Sequence, residues 1–289
     1  MSMSIGFRRA LALMTSVVAI PALVAAPAAD AATASSSWAP AATATIYPGI
    51  QMYTEGAQCT ANFVFSDGVS TYVGYAAHCA GTGAATDTDG CSTESLPLGT
   101  RVTFNRGGSL ISSGTQVGTG TLAYSSWIAM RQAGETDPDT CAYNDFALVK
   151  VDAAYVANVN PSVPFWGGPV ALNTQGTVTG DSVYSYGNSS LRAGIELLSP
   201  KRGVSLGDEG GGWSHTVYTV TPGIPGDSGS GFLDKAGNAL GTLSTVQLAP
   251  VVAANGVGNL SRELAYANAH GMAGVNLVPG TEAFTARLI

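Results

Sequence analysis

From Ile46 onward the sequence is a succession of short apolar runs, each interrupted after a few residues by glycine, aspartate or asparagine. Glycine accounts for 37 of the 289 residues, and charged residues for only 11%. Short runs between turn residues are typical of β-strands joined by tight turns. The sequence therefore predicts an all-β fold, long enough for one large all-β unit or two small barrels.

The clearest predicted hairpin is CTANFVFSDGVSTYVGYAAHC, residues 59–79. Two strand-like runs flank an Asp-Gly dipeptide, which is favoured in hairpin turns. Folding at this turn brings Cys59 near the end of the second strand. A bridge to Cys79 then requires only that the chain turn after that strand, and it would hold His78 at the end of the hairpin.

Further strands are predicted at RVTFN, GTGTLAYSSWIAM, DFALVKV, GTVTGDSVYSYG, HTVYTVT and SGFLDKAGNALGTLSTVQL. The last contains a second hairpin that turns at 236–238. Residues 159–170 hold three prolines and two glycines and are interpreted as an inter-domain linker. One helix is predicted in NLSRELAYANAHG, with Asn259 or Ser261 as its cap and Gly271 at its end.

Residues 1–31 have the parts of a secretory signal peptide: Arg8 and Arg9, an apolar stretch, and a small-residue cleavage site. A membrane anchor is the alternative, but Pro21 and the many alanines make a poor span. Residues 32–45 are small and featureless and are interpreted as a flexible arm. We therefore expect a secreted, extracellular protein.

Without residues 1–31 the chain has 10 basic and 18 acidic residues and a net charge of −8. Nucleic acids and anionic membranes both require a cationic surface on their protein partners. This balance argues against either class of partner once the signal is removed. We expect a monomer that needs no cofactor.

Four cysteines in an exported chain predict two disulfides, for which three connectivities exist. The hairpin favours Cys59 with Cys79, and elimination then pairs Cys91 with Cys141. Neither C-x-x-C nor H-E-x-x-H occurs, so no structural zinc or other metal site is expected. The acidic segment at 86–94 begins like a calcium loop but lacks the later oxygen ligands, so a solvated surface loop is the favoured interpretation and calcium the weaker one.

Three segments contain the residue types of nucleophilic catalysis: AAHC with His78, NDFALVKV with Asp145, and GDSGSG with Ser228. A serine hydroxyl attacks well only when a base takes its proton. A neutral histidine can act as that base, and a carboxylate can orient its ring. Singly, each residue has an ordinary structural interpretation. Together, in this order and around a linker, they favour a catalytic triad. The G-x-S-x-G elbow of α/β-hydrolases does not fit, because Ser230 replaces its second glycine.

These segments, the hairpin and cysteine before the histidine, and the C-terminal helix resemble the chymotrypsin-like (trypsin-like) serine protease family, in particular its bacterial secreted branch. The resemblance extends from about Cys59 to His270. It implies two six-stranded antiparallel β-barrels with the active site between them and a C-terminal α-helix. It also implies a serine endopeptidase that hydrolyses protein or peptide substrates through an acyl-enzyme, with the backbone N–H groups of Gly226 and Ser228 as its oxyanion hole. The resulting domains are a first barrel at 46–158, the linker at 159–170, and a second barrel with the helix at 171–289.

The family implies that Asp227 turns inward and locks the loop before the serine. In animal members its partner is a newly cut N-terminus, but no matching segment precedes His78 at a suitable distance. We therefore expect an internal partner for Asp227, such as Arg101, Arg131 or Arg192. Activation would then need only signal removal or trimming of the arm.

The resemblance also assigns substrate-binding positions to Pro222, Ser244, Thr245 and Val246. Pro222 stands where trypsin-like members have aspartate, so a preference for arginine or lysine has no support. Ser244 is implied to support the triad and to bind substrate backbone, and Val246 replaces a glycine, which indicates a shallow apolar site. His215 could line the rim and favour acidic side chains, but a surface histidine is the favoured interpretation.

Specificity stays open, as does whether the long loops at 81–100, 131–143 and 203–214 cover the cleft. Two other functions remain: an esterase-like hydrolase with the same acyl-enzyme chemistry, and a catalytically silent protease-fold binding or structural protein. The retention of all three triad residues and Gly226 argues against the silent protein.

Overall fold

The computed structural model describes Met1 and residues 38–84, 88–246 and 253–289. Apart from Met1, the signal peptide predicted at 1–31 lies outside the described residues, as does the first part of the arm predicted at 32–45. All elements below belong to one compact unit, Ser37–Ile289. Among the described residues, no helix is both long enough and apolar enough to cross a membrane.

The described chain is mostly β. Its strands are β1 (Gln51–Thr54), β2 (Ala57–Thr60), β3 (Val64–Ser66), β4 (Thr71–Tyr75), β5 (Arg101–Arg106), β6 (Thr115–Ser125), β7 (Ala147–Val151), β8 (Ser182–Tyr186), β9 (Pro200–Glu209), β10 (Ser214–Thr219), β11 (Gly231–Leu233), β12 (Ala239–Val246), β13 (Asn255–Asn259) and β14 (Asn276–Leu277). Its α-helices are α1 (Ser126–Ala133), α2 (Pro138–Tyr143) and α3 (Leu260–Ala269). Short 3₁₀ turns lie at Ala77–Ala80, Ala153–Asn158, Ser190–Arg192, Glu196–Leu198 and Gly210–Gly212.

The second half contains one of the two six-stranded barrels that the resemblance implied. Its strands close in the order β10-β13-β12-β11-β8-β9, and every pair is antiparallel. Apolar side chains that alternate with outward-facing residues fill its interior. They are Val183, Val217, Phe232, Leu240, Leu243 and Val257.

The first half differs from the expected six-stranded barrel. It is an antiparallel sheet of eight strands, in the order β14-β3-β4-β7-β6-β5-β1-β2. Only three residues, 61–63, separate β2 from β3, yet β2 ends the sheet at one edge and β3 lies next to the other. At this break the Phe63 N–H donates to the Asn62 side chain (2.6 Å) rather than to a neighbouring strand. The eighth strand, β14, comes from the C-terminal segment and pairs with β3.

Both predicted hairpins and the predicted C-terminal helix are present, as β3–β4, β11–β12 and α3. One predicted strand was too long, because the chain becomes helical at Ser126. Trp127 and Met130, three positions apart, are both buried on one face of α1, which is the spacing of a helix rather than a strand. Gly134, in the left-handed conformation, ends this helix.

A second apolar cluster joins the sheet, the barrel and α3. It includes Phe63 and Phe146 of the first half, Tyr184 and Leu233 of the barrel, Leu264 of α3 and Trp166 of the segment predicted as a linker. The indole of Trp166 donates to the Ser185 carbonyl (2.7 Å). The described part of the predicted arm also has a partner, since the Ala39 N–H donates to the Val159 carbonyl (2.9 Å).

Candidate active site

His78 lies in the 3₁₀ turn that follows β4. The disulfide between Cys59 and Cys79 ties this turn to β2, and the second disulfide joins Cys91 to Cys141, so both predicted pairings are confirmed. About 27% of the His78 side chain is exposed. The bridge therefore holds the histidine at the end of the hairpin, with part of its ring open to solvent.

Asp145 follows Asn144, the residue that caps the end of α2, and is almost completely buried. Its Oδ1 accepts the backbone N–H of His78 (2.8 Å), and its Oδ2 lies 2.6 Å from His78 Nδ1. Because an ionised carboxylate can only accept, this contact places the proton of the neutral imidazole on Nδ1 and makes Nε2 the acceptor nitrogen. The Ser244 hydroxyl donates to the same Oδ2 (2.6 Å).

A β-bulge positions Ser244 for this contact. The pairing of β12 with β13 shifts register between Leu243 and Thr245, so Ser244 leaves the regular ladder. Bulges of this kind re-aim a side chain. The contact joins residues 99 positions apart and links the barrel to the loop that carries Asp145.

The pKa values of the pair reflect the same contacts. Burial alone would raise the pKa of Asp145, but His78 and the hydrogen bonds from His78 and Ser244 more than offset it, and the pKa lies below its usual value. Burial alone would lower the pKa of His78, but the carboxylate beside it raises the pKa above the usual value. The site therefore stabilises an imidazolium–carboxylate pair.

The loop with Ser228 packs directly against the first half of the chain. The Ser228 carbonyl accepts the Thr60 N–H (2.8 Å), and the Gly229 N–H donates to the Leu243 carbonyl (2.7 Å). Gly229 has a positive φ of 86°, and a Cβ there would lie 2.6 Å from the Thr60 carbonyl oxygen and 2.9 Å from the Ala76 nitrogen. Only glycine can lie this close to the backbone of Thr60 and Ala76. The contact places Ser228 beside the end of β4, which His78 follows.

The hydroxyl of Ser228 makes no hydrogen bond to His78 within the described part of the chain. Such contacts are often long before a substrate is bound. The two N–H groups expected to bind an oxyanion, those of Gly226 and Ser228, likewise donate to no other group among residues 38–84, 88–246 and 253–289. The Gly226 carbonyl, by contrast, is fixed by the Thr60 hydroxyl (2.7 Å) and the Gln58 amide (3.0 Å).

Asp227 points inward and is fully buried, and its partners come from the barrel half. Its Oδ2 accepts from Arg192 Nη2 (2.5 Å) and lies 3.0 Å from Lys201 Nζ, which is also fully buried. Arg192 was one of the three expected partners. The other two lie elsewhere, since Arg101 pairs with Asp152 and Arg131 with Glu94.

Lys201 was not anticipated. Its Nζ also donates to the carbonyls of Thr221 (3.3 Å) and Pro222 (3.1 Å), so all three of its donors are used. Burial and, more weakly, the charge of Arg192 lower the pKa of Lys201, and Asp227 only partly opposes them. No pattern in the sequence distinguishes this lysine from an ordinary surface lysine.

The positions assigned to substrate binding lie at one end of the barrel. Thr245 pairs with Gly256 across β12 and β13, and Val246, about 42% exposed, is the last described residue before 253. Asn255, buried and not anticipated, accepts the Gly223 N–H through its side chain (2.8 Å). It thereby ties β13 to the segment that contains Pro222.

His215 is not the surface histidine that the sequence favoured. It lies on β10 and is fully buried, because it shares the inward face of the barrel with Val217. Its Nδ1 lies 2.6 Å from Asp208 Oδ1 on β9, and its Nε2 has no partner among the described residues. Of the three segments interpreted as long loops, 203–214 is mostly strand β9 and a 3₁₀ turn, and 131–143 contains α2.

The acidic segment at 86–94 lies partly outside the described residues. Its Asp89 accepts from the backbone N–H groups of Cys91 (2.9 Å) and Ser92 (3.2 Å). This carboxylate therefore closes its own turn. A shallow surface cavity of about 530 Å³ lies beside it, between residues 82–83 and 88–94.

No protein family matches the chain, and no curated protein sequence matches it. Solved protein structures, by contrast, do match the chain. The similar structures include Thermobifida fusca protease A, with 19% identity and a TM-score of 0.49 over 81% of this chain and 99% of that one. A glutamic acid specific serine protease that uses a histidine triad in substrate binding has 18% identity and a TM-score of 0.46, over 81% of this chain and all of that one. The chymotrypsin of Cellulomonas bogoriensis has 17% identity and a TM-score of 0.46, over 81% and 98% of the two chains.

Proposed function

We propose that the chain is a serine endopeptidase of the chymotrypsin-like type, with His78, Asp145 and Ser228 as its catalytic triad. The observation that carries the proposal is the buried Asp145 carboxylate, which holds Nδ1 of His78 at 2.6 Å and its backbone N–H at 2.8 Å. This contact fixes both the orientation and the tautomer of the imidazole and leaves Nε2 for the serine.

In the proposed reaction, Ser228 attacks the scissile carbonyl while Nε2 of His78 takes its proton. Asp145 stabilises the imidazolium that forms, in keeping with the raised pKa of His78. The N–H groups of Gly226 and Ser228, which donate to no group in the described part of the chain, would face the developing oxyanion. Losing one such donor typically costs about 2.7–4 kcal/mol. The protonated His78 then gives its proton to the leaving amine as the C–N bond breaks, which leaves the acyl group on Ser228. Water, deprotonated by His78, attacks this ester, and Ser228 recovers its proton as the acid is released.

The loop that carries these N–H groups is held by the pair of Asp227 with Arg192 and Lys201. Because both cations are internal, forming this cluster requires no newly cut N-terminus. We therefore expect activation by removal of the predicted signal peptide or trimming of the arm, and an extracellular monomer that acts on proteins or peptides. The two disulfides suit an oxidising compartment.

For specificity, Pro222, Thr245 and Val246 would form the walls of the pocket and Ser244 would bind substrate backbone. No carboxylate stands at Pro222, so we do not expect cleavage after arginine or lysine. The partly exposed Val246 favours a shallow apolar site.

A fluorophosphonate probe tests the proposal. The chain from Ala32 is treated with the probe and weighed intact, beside Ser228→Ala as the matched control. Single labelling of the wild type, absent in the variant, is the expected result. A folded wild type that resists the probe, before and after trimming of the arm, would instead support the catalytically silent binding protein.

A further inference from the structure

A second carboxyl group lies buried directly behind the candidate triad. Glu263 belongs to the first turn of α3 and has no exposed surface. Its Oε2 accepts the Thr242 hydroxyl on β12 (2.9 Å), and Thr242 in turn accepts from the Asn62 amide (3.2 Å). Asn62 sits at the break between β2 and β3, so this chain of contacts runs from the first half of the molecule through the barrel to α3.

The same carboxyl faces Asp145. The backbone N–H of Asp145 favours the ionised form of Glu263, and the Asp145 carboxylate disfavours it. The Glu263 carboxyl can lie this close to β13 only because residue 258 is glycine, since a Cβ there would collide with Glu263 Oε1. The carboxyl is thus enclosed by β12, β13 and the segment that begins with Asp145.

The surroundings favour the neutral acid. Among the described residues no lysine or arginine pairs with Glu263, and the ionisable groups that interact with it are Asp145 and Tyr124 of β6. Burial, with the charge of Asp145 as a smaller contribution, raises the pKa of Glu263 to about 8. At neutral pH the group therefore carries a proton that it can donate.

An acceptor for that proton lies close by. Glu263 Oε1 has no partner among the described residues. Oε1 and the Tyr143 carbonyl oxygen lie 2.2 Å and 3.3 Å from the point where a Cβ on Gly258 would stand, so the two oxygens are at most 5.5 Å apart. Tyr143 is the last residue of α2 and precedes Asp145 by two positions, so a bond to it would fix the segment that carries the aspartate.

We propose that Glu263, as a neutral acid, is a positioning residue for Asp145: it anchors the backbone on which that carboxylate is presented to His78. The inference rests on the proposed function only for its effect on catalysis. The coupling between Glu263, Asp145 and His78 exists whether or not the chain turns over a substrate. Two readouts can therefore be separated, one of the His78 ring and one of the reaction.

The ring is followed by NMR of the His78 imidazole across pH, in wild type, Glu263→Gln and Glu263→Met. Gln matches the neutral acid in shape and hydrogen bonding, whereas Met keeps the volume and loses the polar contacts. We expect Gln to retain the wild-type Nδ1–H resonance at pH 7, and Met to shift both that resonance and the His78 titration. Wild type should show a further step near pH 8 as Glu263 ionises, which Glu263→Gln lacks.

The reaction is followed by kcat and KM on a chromogenic ester. Glu263→Gln should stay within about twofold of wild type at pH 7, and Glu263→Met should lose about tenfold or more in kcat with KM unchanged, since small misplacements of a catalytic group are costly. Thr242→Val, which removes the donor to Oε2 together with the acceptor of the Asn62 amide, should shift the His78 titration in the same direction and serves if Met does not fold. A folded Met or Val variant with the wild-type titration and kcat, or a Gln variant as impaired as Met, would overturn the inference. A wild type that resists the fluorophosphonate probe would overturn the proposed function instead, and the NMR comparison would still test the coupling.

Discussion

The amino group of Lys201 lies 3.0 Å from Oδ2 of Asp227, and both side chains are completely buried. With Arg192 they form a cluster of two cations and one anion beneath the loop that carries Ser228. Because two cations share one anion, removing the anion should lower stability more than removing one of the cations.

Asp227→Asn should destabilise the protein far more than Lys201→Met. The first change leaves two buried cations without a counter-charge, and removing one partner of a buried pair typically costs about 3–5 kcal/mol. The second leaves Arg192 paired with Asp227. Denaturant unfolding at pH 7 measures both. Equal losses, or a larger loss for Lys201→Met, would show that Lys201 rather than Arg192 is the principal partner.

The activity of the proposed enzyme should fall as pH drops through a value above 6.5, because only neutral His78 can take the serine proton and Asp145 raises its pKa. The stabilisation from this raised pKa has the opposite dependence: it is full below the unfolded value and is lost as pH rises through the folded value. The lowered pKa of Asp145 adds stability above its unfolded value, which is lost in acid. Asp145→Asn should remove the raised pKa of His78 and the pH-dependent stabilisation that comes from the pair. It should also lower kcat by about 10⁴-fold. A pH–rate profile and melting curves measured on the same samples check the signs.

Gly229→Ala should be much more destabilising than Gly68→Ala, although both glycines have a φ of 86°. At each position alanine is strained by the positive φ, at a cost of about 1 kcal/mol. Gly68 faces open space, whereas a Cβ on Gly229 would meet the backbone of Thr60 and Ala76. The difference in unfolding free energy between the two variants therefore measures the cost of the steric contact between residue 229 and the backbone of Thr60 and Ala76. Similar values would mean that the Ser228 loop can move away from the hairpin without penalty.

Replacing Cys91 and Cys141 together by alanine should lower stability by about 2–4 kcal/mol. It should also reduce activity, because Cys141 lies in α2, which leads directly to Asp145. Melting temperature and esterase rate are the measurements, with selective reduction of this bridge as a second route. Unchanged values for both would exclude a role of the bridge in positioning Asp145.

Glu263→Gln should become progressively more stable than wild type between about pH 4.5 and pH 8. A carboxyl whose pKa is raised from 4.5 to about 8 binds its proton more tightly in the folded state, so its contribution to stability is lost as pH rises through this window. Each pKa unit corresponds to about 1.4 kcal/mol. Denaturation curves of the two proteins at pH 4.5, 6 and 8 give the comparison, and a constant difference would contradict the neutral acid.

Local signals led to those residues of the candidate site that lie within one segment. The Asp-Gly turn, the cysteine beside His78, and the glycines around Ser228 each identify a residue by its immediate neighbours. The same is true of the hairpins and of α3, whose Asn259 cap accepts the N–H groups of Ser261 and Arg262. The two disulfide pairings were also predicted from the sequence. The hairpin favours Cys59 with Cys79, and the two remaining cysteines then pair with each other.

Contacts that depend on sheet register could not be predicted in this way. Ser244 reaches Asp145 because β12 bulges at that residue, and Lys201 reaches Asp227 because β9 closes the barrel beside β8. The inward face of β10 buries His215, which its sequence neighbours do not indicate. The open first sheet was missed because the strand expected from Cys59 onward divides at Asn62, and β14 joins from more than 200 positions away.

The position of β14 determines when the first sheet can be completed. This strand pairs with β3, and beyond it the Val278 N–H donates to the Val64 carbonyl (2.9 Å) and the Thr285 N–H to Trp166 (2.7 Å). The hairpin that precedes His78 can therefore complete its outer hydrogen bonds only after residues 276–278 have been synthesised. Contacts between such distant positions slow folding. The first sheet of the protein is thus the part of the fold that must wait longest for its last strand, although the β3–β4 hairpin itself pairs within a dozen residues.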